Sequence, residues 1–150
     1  MVLEYKFTLP PPPIAIIIVL SVFIVLFFVI ILLIAPIVFF SIRVTKDGVS
    51  ISAPPINSYS FKRDEVEEVY IVDLSTKREY HPTVRTFGIG LPGWKIGWFK
   101  LENGADAYLA VTSTNKEAVI FKLKNGKYII LQAKEFNKFV KVLQDLGWIR

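Results

Sequence analysis

No cysteine occurs in the sequence, so there is no disulfide framework to argue for an extracellular fold, although its absence does not by itself place the chain in the cytoplasm. Histidine is almost as scarce, with His81 alone. A zinc site built from several His or Cys ligands is therefore excluded, and no metal or cofactor is expected. His81 precedes Pro82 in a polar stretch, where a solvated or locally hydrogen-bonded ring is the expectation. The carboxylates Asp64, Glu65, Glu67 and Glu68 adjoin Lys62 and Arg63 and read as a solvated charged turn. No Ser–His–Asp arrangement is signalled, and catalysis needs such a constellation. The chain reads as a non-enzyme.

Charge is missing from one long interval. Between Lys6 and Arg43 there is no charged residue, and Ile14 to Ala35 runs IAIIIVLSVFIVLFFVIILLIA, with one Ser and no Gly or Pro. As a helix this run is about 33 Å long, matched to a hydrocarbon core of about 30 Å. It is apolar on every face, which a small domain could not cover as a core helix. It is also longer than the apolar part of a signal peptide, about 7–15 residues, and neither a basic lead nor an A-x-A exit flanks it. The expectation is a single transmembrane helix over 14–36, preceded by a stiff Pro-rich segment over 1–13. Pro36 is expected to end or kink it.

Arg43, Lys46, Lys62 and Arg63 follow the span, whereas Lys6 precedes it with Glu4 nearby. The positive-inside rule then predicts a single-pass cell-membrane protein with its C-terminal domain, 37–150, in the cytoplasm.

That domain reads as strands joined by tight turns. Asp47-Gly48 lies between FFSIRVT and VSIS, a strong hairpin signal. SYSF, VYIVD, WKIGWFKL, AYLAVT, AVIFKL and KYIIL follow, with Asn103-Gly104 and Asn125-Gly126 as turns. Val119, Phe121 and Leu123 alternate with Ile120, Lys122 and Lys124, the mark of a sheet with one face buried. Phe136, Phe139, Val140, Leu143 and Leu146 fall at helical spacing, predicting a C-terminal amphipathic helix over about 133–146 with Gly147 as its C-cap. The count is about seven strands and one helix.

The segment FGIGLPGWKIGWF contains Gly88-Ile89-Gly90-Leu91-Pro92-Gly93, a letter-for-letter match to G-x-G-x-x-G. A dinucleotide loop needs a strand before that pattern and a helix after it. Here a polar stretch, Ser75 to Thr86, precedes it and a strand-like run follows. No Gly-Lys-Ser/Thr is present for a P-loop either. The glycines are instead expected to let a long loop turn tightly and enter a strand, with Gly97 marking a bulge or close backbone approach. The same loop carries Arg85, Phe87, Trp94, Lys95 and Trp98, which form a recognition surface unless the Trp side chains pack inward as core.

Arg85 to Thr112, RTFGIGLPGWKIGWFKLENGADAYLAVT, resembles the central motif of the bacterial pleckstrin-homology (PH-like) domain family found behind membrane spans. The order of an Arg, a Gly-rich Pro-Gly segment, an aromatic-Gly strand and an Asn-Gly hairpin carries the resemblance, at Gly88, Gly90, Pro92, Gly93, Gly97 and Asn103-Gly104. It extends more weakly from about Arg43 to Leu146. It implies a seven-stranded, strongly bent sheet or barrel capped by a C-terminal helix. In that fold the first hairpin commonly binds lipid headgroups, which here points to Arg43 and Lys46.

Seventeen of eighteen basic residues and twelve of thirteen acidic ones lie from Arg43 onward, so the domain holds the whole formal charge of +5. Lys and Arg are scattered, not striped, which counts against nucleic acid. Three partners are in view. The first is a protein held at the membrane through the Arg85–Trp98 segment or an open sheet edge. The second is anionic lipid on a basic face at Arg43 and Lys46. The third makes the chain an outward-facing surface or pilin-like assembly subunit.

Overall fold

The computed structural model describes residues 4–55 and 57–149. The chain divides at Ile34/Ala35 into two compact units. The first is dominated by helix α1, Pro13–Val38, whose last residues belong to the second unit. Every residue from Ile16 to Ile34 is exposed, so nothing in the described chain covers this apolar surface. The helix is long and apolar enough to cross a membrane. Pro36, where an end or a kink was expected, lies inside the helix, which continues to Val38, and the Phe39 N–H reaches the Ala35 carbonyl at 2.9 Å.

Among its described residues the second unit holds nine strands in two sheets, not seven in one, and the sheets do not close into a barrel. The first sheet is an antiparallel meander of β1 (Ser41–Val44), β2 (Gly48–Ala53) and β3 (Asn57–Lys62). The second contains β4 (Val66–Asp73), β5 (Pro82–Leu91), β6 (Trp94–Leu101), β7 (Asp106–Thr112), β8 (Glu117–Leu123) and β9 (Tyr128–Leu131). Their order is β4-β8-β9-β7-β6-β5, with β7 and β9 parallel. Helix α2, Phe136–Asp145, is shorter at both ends than its periodicity suggested.

The main core lies between the two sheets and α2. Val49, Ile51 and Phe61 meet Val119, Phe121, Leu123, Ile129 and Leu131 there, with Leu143 from α2. Gly147 ends α2 with φ +74°, and the Trp148 N–H donates to the Leu143 carbonyl while the Gly147 N–H donates to that of Gln144. This is the Schellman arrangement, and it carries Trp148 back into the core.

Period-2 reasoning gave β8 one buried face, but Ile120 is as fully buried as Phe121. The cause is topological. β4 and β5 are consecutive in sequence yet occupy opposite edges, about 24 Å apart at roughly 4.8 Å per step. Their connection, residues 74–81, carries Leu74 and Tyr80 onto the second face of the sheet. There they cover Phe99, Leu101, Leu109, Ile120 and Ile130 with help from Tyr70 and Tyr128. The Tyr70 and Tyr80 hydroxyls meet at 2.8 Å, and His81 Nε2 donates to the Leu74 carbonyl at 2.6 Å. His81 is therefore a fastening of this roof.

Candidate functional site

The segment Arg85–Trp98 is not a loop. The strand already begins at Pro82, and the whole stretch is the β5–β6 hairpin, closed by Pro92-Gly93 between the paired residues Leu91 and Trp94. Pro sets the backbone for the first corner position and Gly93, at φ +77°, takes the positive-φ second one, as a type II turn requires. The G-x-G-x-x-G letters thus run along a strand and into another strand, and a phosphate-binding helix N-terminus is not formed there.

Two register shifts interrupt β5, one between Pro82 and Val84 and one between Arg85 and Phe87. The second has a consequence that spacing alone hides. Arg85 pairs with Phe99 and Gly90 pairs with Lys95, and Phe99 and Lys95 are four apart on one strand and so share a face. Arg85 and Gly90, five apart, are therefore brought onto that same face by the bulge. A Cβ on Gly90 would lie 3.7 Å from Arg85 Cδ and 3.6 Å from Phe99 Cε1, which shows the two strand halves folded toward each other.

The residues singled out from sequence are thereby sorted. Trp94 and Trp98 lie on the other face of β6 with Ile96 and pack half-buried against the main core. Trp98 meets Tyr59 edge-on at 5.0 Å and Tyr108 at 5.6 Å, and Lys127 Nζ stands 5.0 Å from its ring centre. Arg85 and Phe87 are exposed, and Lys95 is half-buried. Arg85, Lys95, Leu91, Pro82 and Phe99 line an open groove of about 480 Å³. Phe99, Leu91 and Pro82 carry no signal of this groove in the sequence, because their place in it depends on a strand that folds back on itself.

Arg43 lies exposed on β1 and Lys46 in the β1–β2 turn. Arg43 lines a shallow groove of about 320 Å³ with Lys62 and Glu65. The Glu65 carboxylate is engaged by the Lys62 N–H at 2.6 Å. Among the described residues no group of His, Asp and Glu is placed to hold a metal ion. Burial raises the Tyr59 and Tyr70 hydroxyls above the ordinary tyrosine range. The Asp73 carboxyl is held low by hydrogen bonds from the Ser75 hydroxyl and N–H.

No curated protein and no solved structure matches the chain. A family model described as Bacterial PH domain matches residues 41–146, which spans β1 through the end of α2 and includes both grooves. The bent hairpin, the two-sheet core and the capping helix all fall inside that match, and the chain belongs to the bacterial PH domain family.

Proposed function

We propose that the protein is a membrane-tethered, non-catalytic interaction module whose β5–β6 hairpin holds a protein partner at the membrane. One observation carries this reading. Beyond Phe39, five large apolar side chains are exposed among the described residues, and three of them, Val84, Phe87 and Leu91, are on β5. β5 is also an edge strand, and among the described residues no strand pairs with its outer backbone groups. A long apolar edge left open invites a further strand or chain, and natural proteins otherwise blunt such edges. α1 supplies the tether, and the basic residues after it favour a cytoplasmic domain.

The alternative is anionic lipid bound by Arg43 and Lys46, favoured by the exposure of both and by Lys62, which lines the same groove as Arg43. Phe87→Asp, compared with Arg43→Ala combined with Lys46→Ala, separates the two in the full chain. Under the partner reading, a specifically co-isolating protein is lost from Phe87→Asp and kept by the double variant. Retention by Phe87→Asp, with salt-sensitive vesicle binding lost in the double variant, would establish the lipid reading instead.

A further inference from the structure

Gly90 differs from the glycines around it. Gly88, Gly93 and Gly97 all have positive φ, whereas Gly90 does not. A Cβ there would make only ordinary contacts, at 3.6–3.7 Å. Neither backbone conformation nor crowding demands glycine at this position. Its bare Cα instead leaves the groove open between Arg85 on one side and Lys95, its cross-strand partner, on the other.

From this geometry we infer that the groove accepts an extended acidic segment of the protein partner, with an apolar side chain seated between two carboxylates. The inference rests on the partner reading above and specifies its chemistry. The charge is one-sided: the lining contains two cations and no acid, and neither Arg85 nor Lys95 is in an ion pair among the described residues. The surface between them is apolar, formed by the Phe99 ring, with Pro82 and Leu91 at the two ends of the groove. A bare phosphate would leave those walls unused. The open β5 edge beside the groove offers backbone hydrogen bonds, which a polypeptide can take along its length and a lipid headgroup cannot.

Spacing sharpens the pattern. A Cβ on Gly90, opposite Lys95, would lie 3.7 Å from Arg85 Cδ, so the two cationic side chains converge on one stretch of the groove. In an extended ligand alternate side chains share a face. The expected motif is therefore an apolar residue with an acid close by on each side. A second copy of β5 does not fit, because Arg85 is its one charge and no acid accompanies it.

The test selects short random displayed peptides on the full chain in nanodiscs, then repeats the selection on Gly90→Val and on Arg85→Glu combined with Lys95→Glu. Phosphatidylglycerol vesicles serve as a separate probe, and thermal melts report folding. The expected result is enrichment of peptides with acids close by on both sides of an apolar residue, whose affinity falls about tenfold or more in each variant, roughly 1.4 kcal/mol. The doubly reversed variant should then select basic peptides, so the proposal remains testable even if Gly90→Val does not fold. Peptides that bind Gly90→Val and the reversed variant undiminished, yet are lost with Phe87→Asp, would overturn the groove and leave the partner reading standing. Vesicle binding that depends on Arg85 and Lys95, with no peptide selected, would overturn the groove's assignment to protein. No binding by either probe would overturn both readings.

Discussion

Gly88 and Gly97 stand directly opposite each other in the β5–β6 ladder, and each fills the space the other's side chain would need. A Cβ on Gly88 would come within 2.3 Å of the Ile96 carbonyl oxygen and 2.7 Å of Gly97 Cα. One on Gly97 would come within 2.2 Å of the Phe87 carbonyl oxygen and 2.7 Å of Gly88 Cα. Both have φ in the region that favours glycine, +120° and +130°. The neighbours are backbone and cannot swing aside. Either substitution to Ala should cost roughly 3 kcal/mol or more, from backbone strain plus the clash. The double variant should cost clearly less than the sum, since opening the ladder once relieves both sites. Denaturant titration of the four members of the cycle measures this, and simple additivity would show that the two glycines act separately.

Much of this architecture is legible in the residues. The apolar run at Ile14–Ala35, the Asp47-Gly48 hairpin, the β6–β9 strands and the α2 stripe each follow from a local period or turn pair. What stays hidden is non-local. Ile120 reads as half of an alternating strand because the segment that buries it, residues 74–81, is polar in sequence and becomes a roof only once β4 and β5 take opposite edges. Arg85 and Gly90 read as unrelated because a bulge changes the parity between them. Trp94 and Trp98 read as either core or contact, and only the β6 register places both on the core face while Lys95 takes the other.

Arg63 joins three parts of the domain that are far apart in sequence. Its guanidinium donates to the Leu146 carbonyl at 3.0 Å, to the Gly147 carbonyl, and to the Lys46 carbonyl at 3.3 Å, and lies 4.9 Å from the Trp148 ring centre. The carbonyls at the end of α2 carry partial negative charge, which a cation there complements. Arg63→Ala should destabilise the domain by about 1–2 kcal/mol. Arg63→Lys should recover less than half of that, because an ammonium lacks the planar fork that reaches several carbonyls together. Thermal melts of the two variants decide it, and full rescue by Lys would reduce the contact to simple charge.

Tyr108 is completely buried, stacked on Tyr59 at 5.5 Å, and its hydroxyl has no hydrogen-bond partner among the described residues. Burial pushes its pKa up to about 12. A folded value above the unfolded value near 10 means the folded state holds the proton more tightly. The associated stability is fully present below pH about 10 and is lost as pH rises through about 12. The separation of the folded and unfolded values corresponds to at most about 2.7 kcal/mol. Tyr108→Phe keeps the ring stack and removes an unpaired polar atom. At neutral pH it should be neutral or stabilising by up to about 1 kcal/mol. It should also flatten the alkaline loss of stability, leaving the slope from Tyr70, Tyr59 and Tyr80, which burial raises too, and from Lys122, which Glu67 raises. Chemical denaturation across the alkaline range, followed alongside tyrosinate absorbance, checks both parts; an unchanged alkaline slope would place the effect elsewhere.

The proposed tether and its direction rest on different residues. With residues 16–34 exposed and uncharged, transfer to lipid is the arrangement that removes this surface from water. The full chain should therefore stay in the membrane fraction through an alkaline carbonate wash. Val25→Arg combined with Leu26→Arg should release it, each charge at mid-span costing about 2.5–3.5 kcal/mol. The expected direction follows from Arg43, Lys46, Lys62 and Arg63, which outnumber Lys6 on the other side. An epitope appended to the C-terminus should resist protease in intact cells and be cut after permeabilisation. Cleavage in intact cells would reverse the topology and move the search for a partner of the β5–β6 groove to the cell exterior. The groove's chemistry would stand unchanged, since Arg85 and Lys95 call for an acidic segment on either side of the membrane.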